Sequence, residues 1–234
     1  MALPKLNTSP KYETVIPSTG KTVRFRPYLV KEEKVLLMAF EQNDPIAAMK
    51  AIIDTIIACV DADIKGSDLA TFDVEYLFTQ IRAKSVGEKS QINVKCTNCE
   101  HLNLNEVDLS SVSVDVVEPE SSSVDLGEDV VVELKYPSAS DLLVLNNTES
   151  QTEILVATIV ASIAGIQTEE ERIDANDVSA EDLKEFVESM TGVQFKLMSE
   201  WVAKIPAMEK EIEFECEKCN TKNSQTLRGL VDFF

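Results

Sequence analysis

Apolar residues recur with helical spacing through two neighbouring stretches of the chain. From Val30 to Gln42, a charged first turn of Lys31, Glu32, Glu33 and Lys34 is followed by Val35, Leu36, Leu37, Met38 and Phe40, which predicts a helix. Asp44 as N-cap and Pro45 at the first helical position predict a second helix. Its apolar residues Ile46, Met49, Ile52, Ile53, Ile56, Ile57 and Val60 keep helical spacing and need a surface to pack against. Ahead of both, the β-rich runs Tyr12 to Ile16 and Thr22 to Arg26 flank the turn residues Pro17, Ser18, Thr19 and Gly20, the pattern of a hairpin. Asp73 is expected to cap a further helix carrying Val74, Leu77, Phe78 and Ile81, after which Gln91 to Lys95 reads as a strand delivering Cys96.

Between Ser110 and Gly127 the composition shifts to Ser, Val, Asp and Glu, including the run Glu118, Pro119, Glu120, Ser121, Ser122, Ser123, and this marks a boundary. The pattern then repeats in order. A strand from Val130 to Tyr136, a short helix from Ser140 to Leu145 and an apolar helix from Glu153 to Ala164 are expected. Ser179 with Asp182 resembles a capping pair before Leu183, Phe186, Val187 and Met190. Thr191 and Gly192 break that helix, Val193, Leu197, Trp201 and Ile205 form another, and strand Glu211 to Glu215 leads into Cys216. The expected fold class is α+β, with internally duplicated strand-helix-helix-strand units that each end in a Cys-x-x-Cys knuckle. The expected organisation is an arm and first hairpin strand over 1–21, a first repeat over 22–110, an acidic Ser-rich linker over 111–127 and a second repeat over 128–234.

Composition narrows the function classes. With 234 residues, 44% of them hydrophobic, and only 7 Gly and 8 Pro, the chain can bury a real core. Lys and Arg total 22 against 41 Asp and Glu, a net charge of −19. That balance argues against nucleic acid, whose phosphates are bound mainly by Lys and Arg, and favours a basic protein surface as partner. The longest apolar stretch, Ile154 to Ile166, falls short of the roughly 20 residues a membrane span needs. Met1 to Ser9 carries Lys5 without an apolar segment behind it, so a cytosolic protein without a secretory signal is expected. In a reducing compartment Cys-x-x-Cys more often signals metal or redox chemistry than a structural disulfide.

Two such pairs occur in matching surroundings: Ile92, Val94, Cys96, Cys99, Asn103 and Ile212, Phe214, Cys216, Cys219, Asn223, each position of the second set being the first plus 120. A strand leading into Cys-x-x-Cys places both sulfurs on a tight turn, and two such knuckles complete an all-thiolate tetrahedral zinc shell. Cys96, Cys99, Cys216 and Cys219 are therefore the candidate ligands of a structural zinc. The 116 residues between Cys99 and Cys216 exceed the about 15 to 20 of a compact ribbon, so a shared site requires the two halves to meet. His101, the sole histidine, is the alternative third ligand of a local site with two thiolates. A redox role needs a thiolate at a helix N-terminus or beside positive charge, whereas these pairs follow strands and neighbour Glu100, Glu215 and Glu217. Cys59, among Ile56 and Val60, reads as a small buried hydrophobe. One histidine leaves no hydrolase triad, no Gly-rich phosphate loop is present, and no catalytic residue is assigned.

The segment Thr22-Val-Arg-Phe-Arg-Pro-Tyr-Leu-Val-Lys-Glu-Glu-Lys-Val-Leu-Leu-Met-Ala39 resembles the start of the baseplate hub assembly proteins of T-even-type contractile-tailed phages. There a strand ending in a Phe-Arg-Pro-like triplet precedes a Lys-Glu-Glu-Lys helix. The resemblance implies a non-enzymatic hub subunit or assembly chaperone, with other baseplate hub or tail proteins as partners. It also implies residence in the host cytoplasm during assembly and a place in the tail baseplate. Arg24, Arg26, Lys31 and Lys34 form the strongest basic spot on this acidic chain and are the expected partner-binding residues. The apolar tail Leu230, Val231, Asp232, Phe233, Phe234 is suited equally to docking or to packing at home. The alternative function is a cellular zinc-ribbon adaptor that binds a basic protein.

Overall fold

A computed structural model describes residues 10–42, 44–116, 122–143 and 150–233. The architecture is α+β, and every sheet is antiparallel. The chain divides into two compact units. The first comprises the described residues within Met1–Lys65, Phe72–Asp115 and Ala207–Phe234, and the second those within Gly66–Thr71 and Val116–Pro206.

The first unit opens on the expected hairpin. β1 (Tyr12–Ile16) pairs with β2 (Lys21–Phe25), and the turn closes through Gly20, whose φ of +66° is left-handed. α1 (Val30–Glu41) and α2 (Pro45–Cys59) follow. The Asp44 carboxylate accepts from the Ile46 and Ala47 amides, so the cap expected of the Asp-Pro pair is present. α2 buries Ile52, Ile53 and Ile56, and Cys59 is 1% exposed, its thiol pushed up to about 11 by burial. The chain then rejoins the hairpin: Arg26 N–H donates to Cys59 O at 3.0 Å and Phe25 bridges Val60.

α3 (Thr71–Ser85) begins two residues before Asp73, which corrects the expected cap. The Asp73 side chain, fully buried, instead accepts from the Ser18 amide at 2.8 Å and the Ser18 hydroxyl at 2.6 Å. A buried carboxylate needs such partners, and the β1–β2 turn supplies them. β3 (Lys89–Lys95) and β4 (Leu102–Asp108) form a hairpin, and β5 (Ser113–Val114) ends this stretch.

The second unit holds a four-stranded sheet in chain order: β6 (Ser123–Gly127), β7 (Val130–Leu134), β8 (Ile163–Gln167) and β9 (Arg172–Asp174). Its helices are α4 (Ala139–Leu143), α5 (Gln151–Ser162), α6 (Ala180–Glu188) and α7 (Gly192–Val202). The expected continuation of the short helix to Leu145 lies outside the described residues. The expected helix over Glu153 to Ala164 ends earlier, at Ser162: Ile163 and Ala164 begin β8, where Ile163 pairs with Leu134 of β7. Strand pairing overrides an apolar run that could continue either element. Ser179 accepts from the Asp182 amide as the α6 cap, and Thr191 forms a capping box with Gln194 at α7. Val132, Ile159, Ile163, Val187, Met198 and Trp201 form the core of this unit.

The chain returns to the first unit with β10 (Met208–Glu215) and β11 (Lys222–Arg228), and Met208 and Glu209 of β10 also pair with β5. Ile92, Val94, Val107, Met208, Leu227 and Phe233 pack in one cluster. Phe233 is fully buried and its carbonyl accepts from the Ser90 hydroxyl at 2.8 Å, so this part of the tail packs at home. Truncation of Phe233 to Ala is expected to destabilise the protein by about 3–5 kcal/mol in urea unfolding. An unchanged midpoint would show that the tail contributes no core.

Candidate metal centre

The centre grows from two hairpins with one register. Val94 lies opposite Asn103 and Lys95 opposite Leu102 in β3–β4, while Phe214 lies opposite Asn223 and Glu215 opposite Lys222 in β10–β11. At each tip the chain makes the same knuckle. Cys96 N–H donates to His101 O and Cys216 N–H to Thr221 O, both at 2.9 Å, and the amides of Glu100 and Asn220 return to the carbonyls of Cys96 and Cys216. Closing the knuckle forces Glu100 and Asn220 into the left-handed region, with φ of 56° and 55°. Asn tolerates this better than Glu.

The tips meet. Cys96 Sγ lies 3.6 Å from Cys219 Sγ and Cys99 Sγ lies 3.6 Å from Cys216 Sγ, so each sulfur of one knuckle meets a sulfur of the other. All four sulfurs lie within 4.8 Å of one another, with Cys96 and Cys216 buried and Cys99 and Cys219 partly exposed. Disulfide sulfurs stand about 2.0 Å apart, so these are free thiols. A tetrahedral shell with metal–sulfur bonds of about 2.3 Å has sulfur–sulfur edges of about 3.8 Å, close to the two crossing distances. The donor set and its spacing therefore fit a metal ion, and four thiolates this close require a cation between them to ionise together.

Neighbouring dipoles favour sulfur anions. The Asn98 amide N–H lies 3.4 Å from Cys96 Sγ, and the side-chain amides of Asn223 and Asn98 point at Cys96 and Cys219. Thr221 is the main cause that brings the Cys219 thiol down to about 5, its hydroxyl lying 3.2 Å from Sγ. Cys99 is pushed up to about 12: the His101 amide lowers it, but burial and the three neighbouring thiols outweigh that donor.

Two buried asparagines lock the tips to each other. Asn103, on β4, donates to His101 O in its own knuckle and accepts from Glu217 N–H in the other at 2.9 Å. Asn223, on β11, donates to Thr221 O and accepts from Thr97 N–H and the Thr97 hydroxyl. Thr97 and Glu217 each follow the first cysteine of a knuckle, so the brace is reciprocal. The 120-residue offset contains both asparagines; their crossing role has no signature in a single sequence.

His101 serves through its backbone, and the cluster of sulfurs does not include its imidazole. Among the four cations expected at a partner surface, Arg24 pairs with Glu13 at 3.0 Å and Lys31 with Glu32 at 3.2 Å. Arg26 is turned inward, donating to Glu32, Pro27 O and Ala58 O, each at 3.0 Å. Burial raises the Glu32 carboxyl, but Arg26, the Leu29 amide and Lys31 together outweigh it and hold the carboxyl below its ordinary value. Lys34 is exposed and carries no ion pair among the described residues.

No helix among the described residues is long and apolar enough to cross a membrane. No curated protein and no solved structure matches the chain. The family described as T4 bacteriophage base plate protein matches residues 9–234, spanning both units and both knuckles. The chain belongs to that family of phage baseplate proteins.

Proposed function

We propose that this protein is a hub subunit or assembly chaperone of the tail baseplate, acting through protein–protein contacts and without catalysis, in the host cytoplasm during assembly. The family match over residues 9–234 carries this reading. The cluster of thiols is read as a structural zinc site, with Cys96, Cys99, Cys216 and Cys219 as ligands. Zinc supplies folding energy there and no chemistry, since all four positions are filled by sulfur. The chain's own residues do the rest: Asn103 and Asn223 orient the knuckles, and the buried cluster around Met208 and Phe233 holds the returning segment. Of the proposed partner-binding cations, Lys34 is the one left without an ion pair among the described residues, while Arg24, Arg26 and Lys31 contribute less because carboxylates already hold them.

Duplication of an ancestral unit is the reading that best accounts for the two halves. It is supported by the common register of the two Cys hairpins and by a second equivalence: Lys135 N–H donates to Ser162 O at 2.8 Å after α5, as Arg26 N–H does to Cys59 O after α2. The functional test is disruption of the gene in its phage. Tails without complete baseplates are expected, restored by the gene supplied in trans; normal infectious tails would overturn the proposal.

A further inference from the structure

α1 is apolar on both of its faces. Glu32, Leu36 and Ala39 are buried toward the protein, yet Val30 is 79% exposed, Leu37 55% and Met38 51%, with Val35 and Phe40 exposed on the flanks. A helix that is hydrophobic all round belongs in an interior, and a solvent-facing stripe of this kind marks a surface that another element covers. The charges on the outward face say which element. At 100° per residue, Val30, Lys34, Leu37, Met38 and Glu41 share one side of the helix. Lys34 and Glu41 stand seven residues apart, one on each side of the Leu37–Met38 pair, and neither has an ion pair among the described residues.

This pattern is complementary to itself. A two-fold axis through the midpoint of Leu37 and Met38 lays a second α1 antiparallel on the first. It sets Lys34 of each copy against Glu41 of the other, with the four apolar side chains between the two ion pairs. We propose that the outward face of α1 is a homodimer interface, closed by a second copy of this chain. The two-fold interface is the commonest arrangement for soluble oligomers and requires one patch to match itself. A parallel pairing fails this requirement, because it sets Lys34 against Lys34 and Glu41 against Glu41. The charge of −19 on each copy opposes association at long range, but at physiological salt repulsion beyond about 8 Å is screened and the contacts at the helix decide.

The test is the molar mass of the full chain by light scattering and sedimentation, over a concentration series reaching on the order of 1 mM, since one helix pair is a small interface. The mass is expected to rise from monomer toward dimer. Leu37→Glu with Met38→Glu abolishes the rise, and Lys34→Glu or Glu41→Lys alone weakens the dimer by roughly tenfold or more. The double charge reversal Lys34→Glu/Glu41→Lys restores association, which a merely misfolded variant would not do. Unchanged circular dichroism confirms that each variant is folded. A wild-type chain that stays monomeric throughout the series overturns the proposal and leaves the face to a different protein. A dimer indifferent to both single charge reversals also overturns it.

Discussion

Replacing Cys216 by Ser is expected to unfasten the Ala207–Phe234 segment and to unfold the first unit while the second keeps its core. Three thiolates and a hydroxyl, which does not ionise as a thiol does, form a much poorer shell, so the metal is held weakly and the link between the two knuckles is lost. Four-ligand zinc sites contribute about 10–16 kcal/mol of apparent folding energy in small finger peptides, comparable to the whole stability of an ordinary domain. Trp201, the sole tryptophan, lies in the core of the second unit and reports on it separately. Its fluorescence transition in urea should therefore hold its midpoint while the circular dichroism signal loses its first-unit component. Cys59→Ser, on α2 and outside the cluster, should leave metal content unchanged. A strong chelator should reproduce the Cys216→Ser behaviour in the wild type. So should acidification, because ligands must lose protons to bind and bound metal therefore stabilises less as pH falls. A single transition common to both probes and indifferent to chelator would remove the basis for this expectation.

Asn223→Ala should weaken metal binding by about 10- to 100-fold, the usual effect of removing a group that orients ligands, and Asn103→Ala should do so to a lesser degree. Asn223 accepts from Thr97 twice and also donates to Thr221 O and toward Cys96 Sγ, whereas Asn103 makes one contact across and one within its own knuckle. Both side chains are almost fully buried, so each truncation leaves amides and carbonyls without partners, at about 1–3 kcal/mol apiece. Asn223→Asp separates orientation from electrostatics. It keeps the acceptor for Thr97 but loses the donor and sets a negative charge beside Cys96, so it should bind metal no better than the Ala variant. Competition against a chromophoric chelator measures all three, and equal affinities across the series would deny the asparagines any role in the centre.

Features written in local chemistry are legible in the sequence alone. Asp44-Pro45 announces α2, Ser179 and Asp182 announce α6, and two strands that each run into Cys-x-x-Cys place four sulfurs in two knuckles. Features that depend on distant pairing are not legible. Asp73 resembles a cap because an acid commonly starts a helix, but its carboxylate serves a turn 55 residues earlier. β8 is hidden in the apolar run after α5 because only β7 beside it makes Ile163 a strand residue. The basic cluster has the pattern of free charge, whereas Arg26 is committed to Glu32 and two carbonyls. The meeting of the cysteine pairs requires closure across more than 100 residues, a distance at which spacing alone carries no geometry.

One metal ion is expected to tie the β3–β4 knuckle to the β10–β11 knuckle. Metal content per chain, measured together with the number of reactive thiols on protein purified without chelator, decides whether this shared site forms. One zinc per chain is expected, with four thiols protected until the metal is removed. Metal-free protein whose knuckle thiols all react, or two metals per chain in separate local sites, would contradict it.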